Sequence, residues 1–139
     1  MEKSPNSLRL VALMLLSAVI VAGCKTPVSD RNVRRAEIAT AVKWMEGSDN
    51  VLLIDARSEA DYAEGHIPGA FNVQLRDAET PEVTDRLNKA GRVVIYGRDP
   101  GSARATALAK RFITDGRKDV WIMEEGIAGW QDRGFPLVR

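Results

Sequence analysis

Three continuous apolar runs constrain the fold of this chain more than any other feature: Val51-Leu52-Leu53-Ile54, Val93-Val94-Ile95-Tyr96 and Val120-Trp121-Ile122-Met123. Successive strand residues point to opposite faces, so an unbroken apolar run predicts a strand covered on both sides. Between the runs the period changes. Ile38, Ala41, Val42 and Met45 fall at i, i+3, i+4 and i+7, and Ala105, Leu108, Ala109 and Phe112 repeat that spacing, which predicts two amphipathic helices closed by Gly47 and Gly116. Thr80-Pro81-Glu82 opens another helix with an N-cap hydroxyl and a first-turn proline, running to about Ala90 with Val83 and Leu87 inward. Residues 71–74 read as a weaker strand, and Ile127 and Trp130 begin a short last helix. Strand and helix alternate throughout. Parallel strands need crossover helices, so the order predicts an α/β domain with a mostly parallel sheet and helices on both faces. Such folds carry their sites in loops at the carboxyl ends of strands, here after Ile54 and after Tyr96.

The beginning of the chain has a different character. Lys3 and Arg9 outweigh Glu2, and the fourteen residues from Leu10 to Gly23 carry no charge. As a helix that stretch spans roughly 21 Å, short of a hydrocarbon core of about 30 Å but right for a signal-peptide core. It ends Val21-Ala22-Gly23-Cys24, small residues followed by the only cysteine of the chain. This resembles the lipobox of bacterial lipoproteins, which implies acylation of Cys24, cleavage before it and attachment to a membrane through its lipid. Lys25 stands where many lipoproteins retained at the inner membrane carry Asp, so the resemblance favours the periplasmic side of the outer membrane. The expected division is a signal peptide over 1–23, lipidated Cys24 and a polar tether over 24–32, and one domain over 33–139.

Charge and cysteine usage exclude several functions. The formal net charge is +1, and loss of residues 1–23 makes the remainder neutral, so no basic excess points to nucleic acid. One Cys and one His exclude an intrachain disulfide, a CxxC redox pair and a Cys-rich zinc site. Neither a metal nor another cofactor is expected.

The segment 51–73 carries Asp55, Arg57, Asp61 with Tyr62, Gly65-His66-Ile67, Gly69-Ala70 and Asn72-Val73. It resembles the first signature of the rhodanese-like domain family. Gly126, Trp130, Gly134 and Pro136 resemble its closing pattern, with Glu125 in place of one of two usual glycines. The resemblance implies the rhodanese-like three-layer fold. It also implies an active loop that follows the central strand and opens, in the enzymes, with a cysteine. That thiolate takes a sulfane sulfur from a donor such as thiosulfate as a persulfide. Here the strand runs Ile95-Tyr96 into Gly97, which cannot carry sulfur.

Two readings of the loop 97–104 follow. In one, Gly97, Arg98, Gly101, Ser102 and Arg104 form an anion cradle from loop N–H groups and the next helix N-terminus, and Gly97→Cys should restore some persulfide formation. In the other, the loop merely connects strand to helix. Asp55, Arg57 and His66 are expected to support the motif, His66 by shaping the turn, the alternative for this lone histidine being a general base or a ligand. Tyr96 and Trp130 read as core aromatics, Trp44 and Trp121 as a candidate contact face. The expected function is a lipid-anchored, non-catalytic binding module for an envelope protein or a small oxyanion. The alternative is a sulfurtransferase that uses an unrecognised or partner-supplied nucleophile.

Overall fold

A computed structural model describes residues 27–139. The expected signal peptide and lipobox, with Cys24, lie outside the described residues. Five strands form one all-parallel sheet in the order β1-β5-β4-β2-β3: β1 Arg34–Ala36, β2 Val51–Asp55, β3 Phe71–Asn72, β4 Arg92–Tyr96 and β5 Val120–Met123. The register runs Leu53↔Val94↔Trp121 and Ile54↔Ile95↔Ile122 across the three long strands. The helices are α1 Ile38–Glu46, α2 Glu59–Glu64, α3 Pro81–Lys89, α4 Ala103–Thr114 and α5 Gly126–Asp132.

Alternate residues of β4 feed two cores. Val93 and Ile95 pack with Ala105, Leu108, Ala109 and Phe112 of α4 and Val83 of α3. Val94 and Tyr96 face the other way, toward Ile38 and Ala41 of α1 and Ile127 and Trp130 of α5. This is why the strand sequences are continuously apolar. Phe112 is fully enclosed, and emptying such a site costs about 3–5 kcal/mol.

Sequence patterning missed the strand β1 and the helix α2 and overextended β3. β1 is an edge strand with only Ala36 buried, so Arg34-Arg35-Ala36 shows no apolar run. Helix α2 buries none of its six residues, yet Ser58 caps it and Asp61 answers three residues on. β3 covers Phe71–Asn72 rather than 71–74. The segment read as a tether folds onto the domain from Asp30: Asp30–Asn32 forms one 3-10 turn, Asp30 pairs with Lys110 at 2.9 Å, and Val33 is buried.

Candidate functional site

The loop after β4 and the turn after β2 meet at the same end of the sheet. Their meeting follows from register: Asp55 lies opposite Tyr96, and the Ala56 N–H donates to the Tyr96 carbonyl at 2.9 Å. Asn72 of β3 ties the β2 side down by donating its side-chain amide to the carbonyls of Asp55 and Arg57, both at 3.0 Å.

Asp55 is wholly buried and Arg57 nearly so. The guanidinium closes on the carboxylate through Nε (3.1 Å to both oxygens) and Nη2 (2.6 Å), and Nη2 also donates to the Gly65 carbonyl at 2.7 Å. Burial works against the Arg57 charge, but its bonds and attraction to Asp55 outweigh that, and its pKa lies above the ordinary arginine value. Arg57 thus joins the end of β2 to the turn after α2. The Tyr96 hydroxyl accepts the Ile67 N–H at 3.2 Å, and burial with Asp55 nearby pushes the phenol's pKa far up, so it stays neutral.

His66 belongs to the turn. Its ring stacks on Tyr62 with centroids 3.7 Å apart, Nδ1 lies 3.0 Å from the Tyr62 carbonyl, and its backbone exchanges two hydrogen bonds with Val138. Trp44 and Trp121 form a pair 5.0 Å apart, with Arg92 over Trp44 and Arg34 over Trp121, so cations already cover part of this aromatic face.

The loop itself is built around a tight turn. Asp99-Pro100-Gly101-Ser102 has proline second and glycine third with φ +78°, closed by Ser102 N–H donating to the Asp99 carbonyl at 3.3 Å. These are the residues a type II turn requires. The turn brings Ser102 back beneath Gly97. A β-carbon on Gly97 would lie 2.0 Å from Ser102 Oγ and 2.3 Å from Ser102 Cβ. Ser102 is also the N-cap of α4, accepting the Ala105 N–H through Oγ at 3.5 Å while its carbonyl accepts from Thr106. A side chain at 97, as in Gly97→Cys, therefore meets Ser102 first, and one of the two must shift to admit it.

From the other side α5 grips the loop. The Ile127 and Ala128 N–H groups donate to the carbonyls of Gly97 and Arg98 at 3.0 and 2.9 Å. Arg98 pairs with Asp61, a contact the sequence did not signal because thirty-seven residues separate them. The Asp61 pKa lies below the ordinary carboxylate value, first through the Ser58 hydroxyl bond, opposed by desolvation and reinforced by the Arg98 charge. The Arg98–Asp61 pair lines two open clefts, one of about 460 Å³ toward Ser102 and Arg104, the other of about 450 Å³ toward Gln131 and Leu137. Gly101 and Arg104 are exposed at the mouth of the first. Among the described residues no His, Cys, Asp and Glu groups are clustered to hold a metal.

Comparison with known proteins agrees with this architecture. The Rhodanese-like domain pattern matches residues 38–133. An uncharacterized Escherichia coli K12 protein, YibN, is 27% identical over 128 residues, covering 91% of this chain and 86% of its own. A protein named sulfurtransferase from Allochromatium vinosum is 31% identical over 96 residues, covering 66% and 81%. Among solved structures, a protein of unknown function from Rhodopseudomonas palustris superposes with a TM-score of 0.68 at 22% identity over 78% of this chain and 87% of its own. A rhodanese-related protein from Thermoplasma volcanium gives 0.61 at 18% identity over 76% and 97%.

Proposed function

This chain belongs to the rhodanese-like domain family, and we propose that within it the chain is a membrane-anchored binding module without sulfurtransferase chemistry of its own. In this reading Gly97 stands where the enzymes of the family carry their cysteine. The observation that carries the reading is the end of β4. The residue there has no side chain, Ser102 fills the adjoining space, and the only cysteine of the chain is Cys24, 73 positions upstream. Sulfur transfer by a covalent route needs a thiolate within reach of the loop. The N-terminal sequence supports the rest: Cys24 receives lipid, and Lys25 directs the protein to the periplasmic face of the outer membrane, where the domain binds an envelope protein.

The test is thiocyanate formation from thiosulfate and cyanide by the purified full-length chain in detergent. The expected result is no product above the reagent blank. Turnover that survives Cys24→Ser would overturn the reading in favour of a sulfurtransferase with another nucleophile. Labelled palmitate incorporated by the wild type and lost in Cys24→Ser tests the anchor separately.

A further inference from the structure

We propose that Ser102 is a built-in plug: its side chain occupies the heart of the loop and makes this fold's anion cradle a closed structure that takes no small oxyanion. This rests on the reading above and deepens it, because it removes a small oxyanion from the ligands open to that binding module.

Three observations converge on Ser102. First, the overlap with a side chain at 97 involves Cβ as well as Oγ. Turning χ1 swings the hydroxyl away, but Cβ is fixed to the backbone, so only movement of the loop makes room. Second, the loop is held against that movement. The Pro100-Gly101 turn sets the path into Ser102, and α5 donates two hydrogen bonds to the Gly97 and Arg98 carbonyls. Gly126, at φ +62°, lies so close that its own β-carbon would come within 2.8 Å of Gly97 O, Arg98 C and Asp99 N. Third, the Ser102 hydroxyl accepts from the first turn of α4, taking an N–H that an anion at this helix end would use. Plug and cap belong to one side chain: Oγ is the cap, and Cβ fills the loop beside it.

The two roles of Ser102 separate by substitution. Alanine removes the cap but keeps Cβ, whereas glycine removes both. In the full chain carrying Cys24→Ser, three thiol-bearing variants are treated with thiosulfate: Gly97→Cys, Gly97→Cys with Ser102→Ala, and Gly97→Cys with Ser102→Gly. In the reaction sought, the thiolate at 97 attacks the outer sulfur of thiosulfate. A sulfur–sulfur bond forms on the protein, the one in thiosulfate breaks, and sulfite leaves with the bonding pair. Intact mass reads the addition of one sulfur atom, and circular dichroism checks folding.

The expected result is persulfide severalfold higher in the Ser102→Gly combination than in the other two. Equal modification of all three, or none in a folded Ser102→Gly combination, would overturn the plug. Variants without the new thiol give a second measurement that does not depend on Gly97→Cys folding. Millimolar sulfate should raise the melting temperature of Ser102→Gly and leave wild type and Ser102→Ala unmoved. A shift in wild type, or none in Ser102→Gly, overturns the proposal as well. Failure of the functional reading is seen elsewhere, in wild-type thiocyanate formation.

Discussion

The guanidinium of Arg57 and the carboxylate of Asp55 form a bidentate pair with the carboxylate fully enclosed, at the point where β2 hands the chain to the loop end of the domain. Desolvating two charges is costly, and hydrogen bonds on both partners offset it: Asp55 accepts from the Arg57 backbone as well as its side chain, and Arg57 also reaches the Gly65 carbonyl. The Arg57 guanidinium carbon also stands 5.9 Å from the centroid of the Tyr96 ring, one residue before the loop. Scaffold and candidate site therefore share one electrostatic support.

Arg57→Ala leaves the Asp55 carboxylate buried without its cation and is expected to destabilise the domain by about 3–5 kcal/mol. Lysine does not replace a bidentate fork, so Arg57→Lys recovers only part of that loss. Urea unfolding of the two single variants and of Asp55→Ala with Arg57→Ala measures the coupling. The double variant should cost clearly less than the sum of the singles.

Gly126 holds the loop by proximity. Gly126→Ala introduces both a side chain at positive φ and a contact of 2.8 Å with loop backbone, and it is expected to cost about 1–3 kcal/mol. Amide exchange should localise the effect, with Ile127 and Ala128 losing protection while α3 does not, since those two N–H groups bond the loop carbonyls.

Glu125 caps a helix that is not its own. The N-cap residue of α1, Glu37, makes no side-chain capping bond, and Glu125 Oε2 instead accepts the Ile38 N–H at 3.1 Å while Oε1 pairs with Arg133 at 2.9 Å. Where the family pattern usually has glycine, this side chain ties α5 to α1. Glu125→Ala should therefore lower stability by about 1 kcal/mol in denaturant unfolding, and Glu125→Gln, which keeps an acceptor oxygen, by less.

The Asp61 carboxylate has its folded pKa below the ordinary value. Depression of a carboxylate contributes stability that is present above the unfolded pKa and is lost as pH falls through the folded one. Carboxyl carbon NMR should place the Asp61 midpoint below that of an unstructured aspartate. Ser58→Ala, which removes the largest cause, is expected to raise it more than Arg98→Ala. The opposite order would mean that the loop arginine controls this carboxylate.

The alternation of the longer strands and helices, the two-sided burial of β2, β4 and β5, and the motif residues Asp55, Arg57 and Gly126 were all legible in the linear sequence. Each depends on the spacing of side chains along one element or on a short signature, and spacing is a local property. The edge strand β1 escaped because a strand buried at one residue has no period to read. What only the tertiary structure decided is how the loop is filled. Gly97 and Ser102 are ordinary turn residues in one dimension. Their overlap arises when a Pro-Gly turn folds the chain back while α5 packs close enough to stop it opening. Likewise Arg98 meets Asp61, and Glu125 meets Ile38, because parallel register gathers the ends of separate strands at one edge. Volume exclusion and charge pairing act between atoms that are neighbours in space, and packing makes them neighbours.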